Sequence, residues 1–179
     1  MIITISGAPG SGKSTVATFL AKALHLQHYS AGQFMRDMAK ERGVTLVELQ
    51  KEAQEDQGKI DKEIDARTKK LGKEKDNFII DGRMAWHFIP HAKKIFLDVE
   101  IATGARRIYL QGREDEYSDE YYDALAKVKK RIASERIRYK QYYSIDPYNP
   151  KHYDLHLDTT DMTPTQVVDE ILQWLDHGK

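Results

Sequence analysis

The sequence predicts an α/β fold in which a mostly parallel sheet is covered by helices on both faces. Three observations carry this. Apolar, β-prone runs recur at 2–6, 28–30, 78–81, 94–99 and 153–158. Helical patterns separate them, at 14–24, 33–42, 45–56, 60–71, 101–111, 118–143 and 164–176. A glycine-rich loop, Gly7-Ala8-Pro9-Gly10-Ser11-Gly12-Lys13-Ser14, joins the first run to the first helix. Strands that alternate with helices pair in parallel through crossovers, which places the helices on the two faces of the sheet.

Each element has its own signal. Ile2-Ile3-Thr4-Ile5-Ser6 is nearly continuous in apolar character and reads as a buried strand. In the first helix Val16, Phe19, Leu20 and Ala23 recur at helical spacing and mark the packing face. The run at 28–30 is a weak strand signal. The last helix has Thr163 as cap, Pro164 at the first helical position and Gln166 to complete a capping box, with Val167, Ile171, Leu172 and Leu175 on one face. Two stretches exceed a minimal three-layer core. Residues 45–72 are charged and helical, and read as an inserted flap between the second and third strands. Residues 113–146 combine the acidic run Glu114-Asp115-Glu116 with a long basic helix, and read as a lid.

The 179 residues suit one domain with a full core. Lys+Arg and Asp+Glu are both 28, so the formal charge is zero, which argues against a broad nucleic-acid footprint. There is no cysteine, hence no disulfide, thiolate zinc site or cysteine nucleophile. The apolar N-terminal run leads straight into the glycine loop and does not read as a signal peptide, and no run has the length of a membrane span. A monomeric cytoplasmic protein is the expectation.

The glycine loop fits G-x-x-x-x-G-K-[ST], and a strand before it with a helix after it is the context that pattern needs. Gly7, Gly10 and Gly12 are expected to take positive φ, so that successive N–H groups cradle a triphosphate at the helix N-terminus. Lys13 would reach the β- and γ-phosphates of ATP, and the Ser14 hydroxyl would ligate Mg²⁺. No N-K-x-D element for reading guanine is present; Asn149-Pro150-Lys151-His152 comes nearest and lacks the aspartate.

A small kinase needs a second anion site facing the loop, built from arginines. Two segments at carboxyl ends of strands offer one. Tyr29-Ser30-Ala31-Gly32-Gln33-Phe34-Met35-Arg36 supplies Ser30 and Arg36; Ile79-Ile80-Asp81-Gly82-Arg83 supplies Asp81 and Arg83. An aspartate ending an apolar strand beside such a loop reads as an indirect Mg²⁺ ligand or a ligand contact. Arg131 and Arg138, seven apart with Glu135 between them, share a helix face. The histidine pairs 87/91 and 152/156 are rejected as metal sites, because Pro90 interrupts the first and the second enters a strand. Tyr142, Tyr143, Tyr148 and Tyr153 are read as packing between lid and sheet.

With these residues in place, the chain resembles the P-loop nucleoside monophosphate kinases, and most of all the short archaeal-type cytidylate kinases. The resemblance rests on residues 7–15, on YSAGQFMRDMAKERG (29–43), IDKEID (60–65), IIDGRMA (79–85), ERIRYKQYYSID (135–146) and YDLHLDTT (153–160). It implies a three-layer P-loop NTPase fold with a five-stranded parallel sheet, a helical NMP-binding insert and a short lid. It also implies transfer of the ATP γ-phosphoryl to CMP or dCMP with Mg²⁺. On that resemblance Gly7, Ala8, Pro9, Gly10, Ser11, Gly12, Lys13, Ser14 and Thr15 bind ATP, and Arg36 and Arg83 grip the acceptor phosphate. Arg131 is the lid arginine, with Arg138 and then Arg113 as alternatives. Asp61, Asp65 or Asp81 would accept from the cytosine amine, and Ser14 and Asp81 serve the metal. Two features depart from the family pattern: Trp86-His87 follows Gly82-Arg83-Met84-Ala85 directly, and Glu114 to Glu120 bring acidic charge to the lid. Other readings are a different acceptor, AMP or a non-nucleotide such as shikimate, and a non-catalytic ATP-binding module. Arginine at 36, 83 and 131 favours the enzyme.

Overall fold

Strands Ile2–Gly7 (β1), Gln27–Ser30 (β2), Phe78–Asp81 (β3), Lys93–Asp98 (β4) and Leu155–Asp158 (β5) form one parallel sheet in the order β2-β3-β1-β4-β5. The computed structural model describes residues 1–56, 58–111 and 120–177. β1 lies at the centre, and all six of its residues are buried. Its side chains alternate between two cores. Ile3 and Ile5 meet Ile79, Ile95 and Leu97 on one face; Ile2 joins Phe78 and Ile80 on the other. The chain order reverses about β1, which opens a crevice beyond its carboxyl end, where ligands bind in sheets of this kind.

Helices Lys13–Ala23 (α1) and Pro164–His177 (α8) cover the first face, through Val16, Leu20, Val167 and Ile171. The packing face of α1 is rotated from the one expected. Val16, Ala17, Leu20 and Ala21 are buried, whereas Phe19 is 46% exposed. Two alanines let the helix approach the sheet more closely than a phenylalanine would. α8 begins with the expected capping box: Gln166 N–H donates to Thr163 Oγ1 at 3.3 Å, and Thr163 N–H donates back to Gln166 Oε1 at 2.8 Å. Such a box is worth about 1 kcal/mol.

Between β2 and β3 come three helices, Ala31–Arg42 (α2), Leu46–Glu55 (α3) and Lys59–Glu74 (α4). They pack on one another through Met38, Leu49, Ile60 and Ile64, a core separate from those of the sheet. The four-residue helix Ala85–Phe88 (α5) follows β3, and is too short for any periodicity to announce it. Ile101–Gln111 (α6) and Tyr121–Tyr143 (α7) pack together through Ala105, Ile108 and Val128. The acidic run at 114–116 and Arg113 lie outside the described residues. No helix among the described residues is long and apolar enough to cross a membrane.

One contact fixes where the glycine loop sits. A Cβ on Gly10 would stand 2.2 Å from the Gly104 carbonyl oxygen, and a Cβ on Gly104 would stand 2.5 Å from that of Pro9. Both neighbours are backbone, so the loop rests on α6 with no room for a side chain from either partner. The Gly104→Ala variant is therefore expected to lose about 1–3 kcal/mol of stability. It should also lose ATP affinity, since the loop must shift. Thermal melts with and without ATP measure both.

Candidate active site

The loop emerges from β1 and is anchored before its first turn. Ala8 N–H donates to the Leu97 carbonyl of β4 at 3.0 Å. Gly10 and Gly12 adopt φ of 77° and 80°, as expected. Gly7 does not take positive φ; glycine is needed there because a Cβ would lie 2.4 Å from the Leu97 carbonyl oxygen. Gly12 precedes α1 without a side-chain cap, so the first N–H groups of the helix are left for an anion.

Lys13 begins α1 and is partly buried. Burial, reinforced by the charges of Arg83 and Arg131, lowers its pKa to about 7 against the partial support of Asp81 and Glu135. The structure thus gathers Lys13, Arg83 and Arg131, three cations that the sequence assigns to one reaction.

Ser14 donates its hydroxyl to Asp81 Oδ2 at 2.8 Å, across from α1 to the end of β3. The other carboxylate oxygen, Oδ1, is 2.7 Å from His28 Nε2. Burial raises the Asp81 pKa, but hydrogen bonds from His28 and Ser14 outweigh it, so the carboxyl titrates below its usual range. With its proton turned toward Asp81, Ser14 Oγ keeps a lone pair for a metal. A serine oxygen and a carboxylate, completed by phosphate and water, are the hard donors Mg²⁺ takes. His28 was not foreseen. Its strand is a weak signal, and only the β2–β3 pairing, with Ser30 opposite Asp81, brings it here.

Arg83 follows β3 in a turn held by Ser6, whose hydroxyl lies 2.8 Å from the Gly82 carbonyl oxygen. Its Nε is 2.7 Å from Glu135 Oε2, and both side chains are only 8% exposed. Arg131 Nε donates to Glu135 Oε1 at 3.1 Å. Burial pushes the Glu135 carboxyl up, yet Arg83 and Arg131 overcome it and bring it to about 2.

Further along α7, Arg138 Nε lies 3.1 Å from Asp61 Oδ2 of α4. The two are not aligned for a hydrogen bond, so both buried atoms lack a hydrogen-bond partner. Asp65 accepts from the Tyr143 hydroxyl at 2.5 Å, and burial raises its pKa to about 7. Arg138 therefore sits with the two candidate base readers and not among the neighbours that depress Lys13. Arg36 stands apart: it is exposed and donates to Gln33 Oε1 at 3.0 Å. Ser30 precedes α2, and its side chain makes no capping bond.

On the far side of the loop lies a cavity of about 130 Å³, lined by Ser11, Gly12, Arg107, Thr159, Met162 and Pro164 among others. Arg107 of α6 donates to the Thr159 carbonyl at 2.8 Å and to that of Thr160 at 3.1 Å. The Thr159 hydroxyl is 3.1 Å from the Ser11 carbonyl oxygen. Neither residue was singled out by chemistry. The position of Thr159 just past a strand's carboxyl end was the available clue; Arg107 on a helix offered none.

A glycine loop at a bare helix start, a serine–aspartate pair beside it and a buried arginine opposite fit a P-loop kinase. Comparison with known proteins narrows the class. Residues 2–161 match the cytidylate kinase-like family. A cytidylate kinase of Natronomonas pharaonis is 40% identical over 169 residues, covering 93% of this chain and 85% of that protein. One from Methanococcoides burtonii is 35% identical, covering 98% and 97%. Among solved structures, shikimate kinase from Aquifex aeolicus superposes with a TM-score of 0.62 at 21% identity, over 99% of this chain and 98% of that one. That likeness shows the fold. The chain belongs to the cytidylate kinase-like family.

The two groups with pKa values near 7 act on stability from opposite sides. Lys13 titrates lower in the folded state than unfolded, so its cost is complete below about 7 and fades as pH rises toward 10.5. Asp65 titrates higher when folded, so its cost grows from pH 3.8 and is complete above about 7. Melting of the nucleotide-free protein should therefore show Lys13→Met gaining on the parent as pH falls through the first window. Asp65→Asn should gain as pH rises through the second. Parallel pH profiles for parent and variants would refute this.

Proposed function

We propose that this protein transfers the γ-phosphoryl of ATP to CMP or dCMP. The observation that carries the reading is the meeting of Arg83 and Arg131 on the Glu135 carboxylate, near enough to Lys13 for both charges to act on it. Membership of the cytidylate kinase-like family supports the choice of acceptor.

The donor lies along the loop. Backbone N–H groups from Gly10 to Lys13 hold its β-phosphate, Thr15 serves the α-phosphate, and the cavity beside Arg107 and Thr159 takes the adenine. Ser14 and, indirectly, Asp81 would hold Mg²⁺, which would neutralise charge on the phosphates. Lys13 spans the β- and γ-phosphates. A triphosphate at the loop favours its charged form, so binding restores the proton that burial disfavours.

The acceptor enters between α7 and the helices α3 and α4, which act as the NMP-binding insert. Arg83 grips its phosphate with a guanidinium fork that matches two oxygens. Arg36 joins only if its side chain leaves Gln33. Arg131, next to Lys13, stabilises charge on the phosphoryl in flight. For the base, the Asp61–Arg138 ion pair is the better-supported reader: an acceptor and a donor lie side by side without a hydrogen bond, complementary to the cytosine N4 amine and N3. Uracil reverses that pattern. Asp81 is engaged by Ser14 and His28, and Asp65 by Tyr143.

The reading is tested by coupled ADP release with ATP, Mg²⁺ and a panel of CMP, dCMP, UMP, AMP, GMP and shikimate. CMP or dCMP should exceed the others by about tenfold or more. A preference for AMP or shikimate would move the acceptor, and ATP binding without transfer to any acceptor would overturn the enzyme. Asp61→Asn should reduce the preference for CMP over UMP by about tenfold to a hundredfold, read as a ratio of kcat/KM values.

A further inference from the structure

Glu135 is a buried carboxylate to which the phosphoryl-transfer chemistry assigns no task, yet it is held by bonds from three side chains. Its Oε2 pairs ionically with Arg83 Nε at 2.7 Å and accepts from the Tyr148 hydroxyl at 2.5 Å. Its Oε1 takes Arg83 Nη2 at 3.1 Å and Arg131 Nε at 3.1 Å. Three hydrogen bonds and the ion pair with Arg83 thus leave little of the carboxylate's capacity unused. The partners come from three places: the turn after β3, the preceding turn of α7, and the segment that follows α7.

The arginine side of this arrangement is left half used. A guanidinium presents two forked edges. Glu135 occupies the edge formed by Nε and Nη2 of Arg83. Nη1, on the other edge, is buried and has no hydrogen-bond partner. A buried donor without a partner is costly to the folded protein and awaits an acceptor. Docking one edge on a fixed carboxylate also sets the plane of the guanidinium, and so sets where that acceptor must stand.

We propose that Glu135 is a positioning residue of the acceptor site: it clamps one edge of Arg83 and ties it to Arg131, presetting the free edge of Arg83 for the phosphate of the incoming nucleotide. This rests on the assignment of Arg83 and Arg131 to the acceptor phosphate and the transferring group. Glu135 touches neither nucleotide in this role; it acts through the two arginines. Its charge also offsets theirs while no phosphate is present.

A double-mutant cycle on Glu135 and Arg83 tests it, with kinetics toward CMP and a direct measurement of ATP binding. Glu135→Gln keeps the size and one carbonyl oxygen but removes the charge. It should raise the KM for CMP about tenfold or more while ATP affinity stays within about twofold. On an Arg83→Ala background the same substitution should add little, because the group it positions is gone. A residue that merely braces the fold would weaken ATP and CMP binding together. Arg83→Ala alone reports on the underlying assignment: an unchanged KM for CMP would overturn that assignment. A raised KM in Arg83→Ala with none in Glu135→Gln would overturn only the positioning role. Equal Glu135→Gln penalties on both backgrounds would overturn it too. If Glu135→Gln does not fold, Glu135→Asp, which keeps the charge but draws it back, takes its place in the cycle with the same sign and a smaller effect.

Discussion

Holding cations away from water and near one another is the constraint around which the site is built. Burial first, and then the charges of Arg83 and Arg131, depress Lys13 before any phosphate is present to neutralise them. Asp81 and Glu135 are the two carboxylates that oppose this. They do so from different elements, the end of β3 and the middle of α7, so the charge balance is also what fastens the long helix to the sheet. Removing one partner from a buried pair of this kind costs about 3–5 kcal/mol, because the other is left uncompensated. Stability and readiness for phosphate therefore depend on the same contacts.

In the proposed reaction the two halves draw on different parts of the fold. The donor side is nearly all backbone: glycines at positive φ, the bare start of α1, and main-chain carbonyls captured by Arg107 and Thr159. The acceptor side is all side chain, contributed by α4, the β3 turn and α7. This division follows from what each ligand presents. A chain of phosphates suits a row of N–H groups, whereas a base and a monophosphate need donors and acceptors at particular points.

The elements of the fold were legible in the sequence because most have the length and periodicity that make them so. The strand at 28–30 was faint, and α5 was silent, since four residues carry no period. Among the candidate residues, Lys13, Ser14, Asp81 and Arg83 lie in contiguous motifs at strand ends, which is why the sequence could single them out. His28, Arg107, Thr159 and Glu135 could not be assigned roles, because each acts through a contact between residues distant in the chain. The face of α1 was misjudged by one position for a related reason: hydrophobicity singles out Phe19, but close approach to a sheet favours Ala17 and Ala21. The reason for Gly7 was likewise invisible, since it depends on a carbonyl of β4.

The contact between Gly10 and Gly104 constrains how such a protein could be re-engineered for a different donor. Backbone meets backbone there, so the phosphate cradle has no slack on the α6 side and cannot be widened by a change within the loop alone. Room for a larger or differently shaped base has to come from the opposite rim, where Met162 and Pro164 line the cavity with side chains that can be exchanged. On the proposed reading, donor choice and phosphate geometry fall on separate pieces of the chain, and one can change while the other stays fixed.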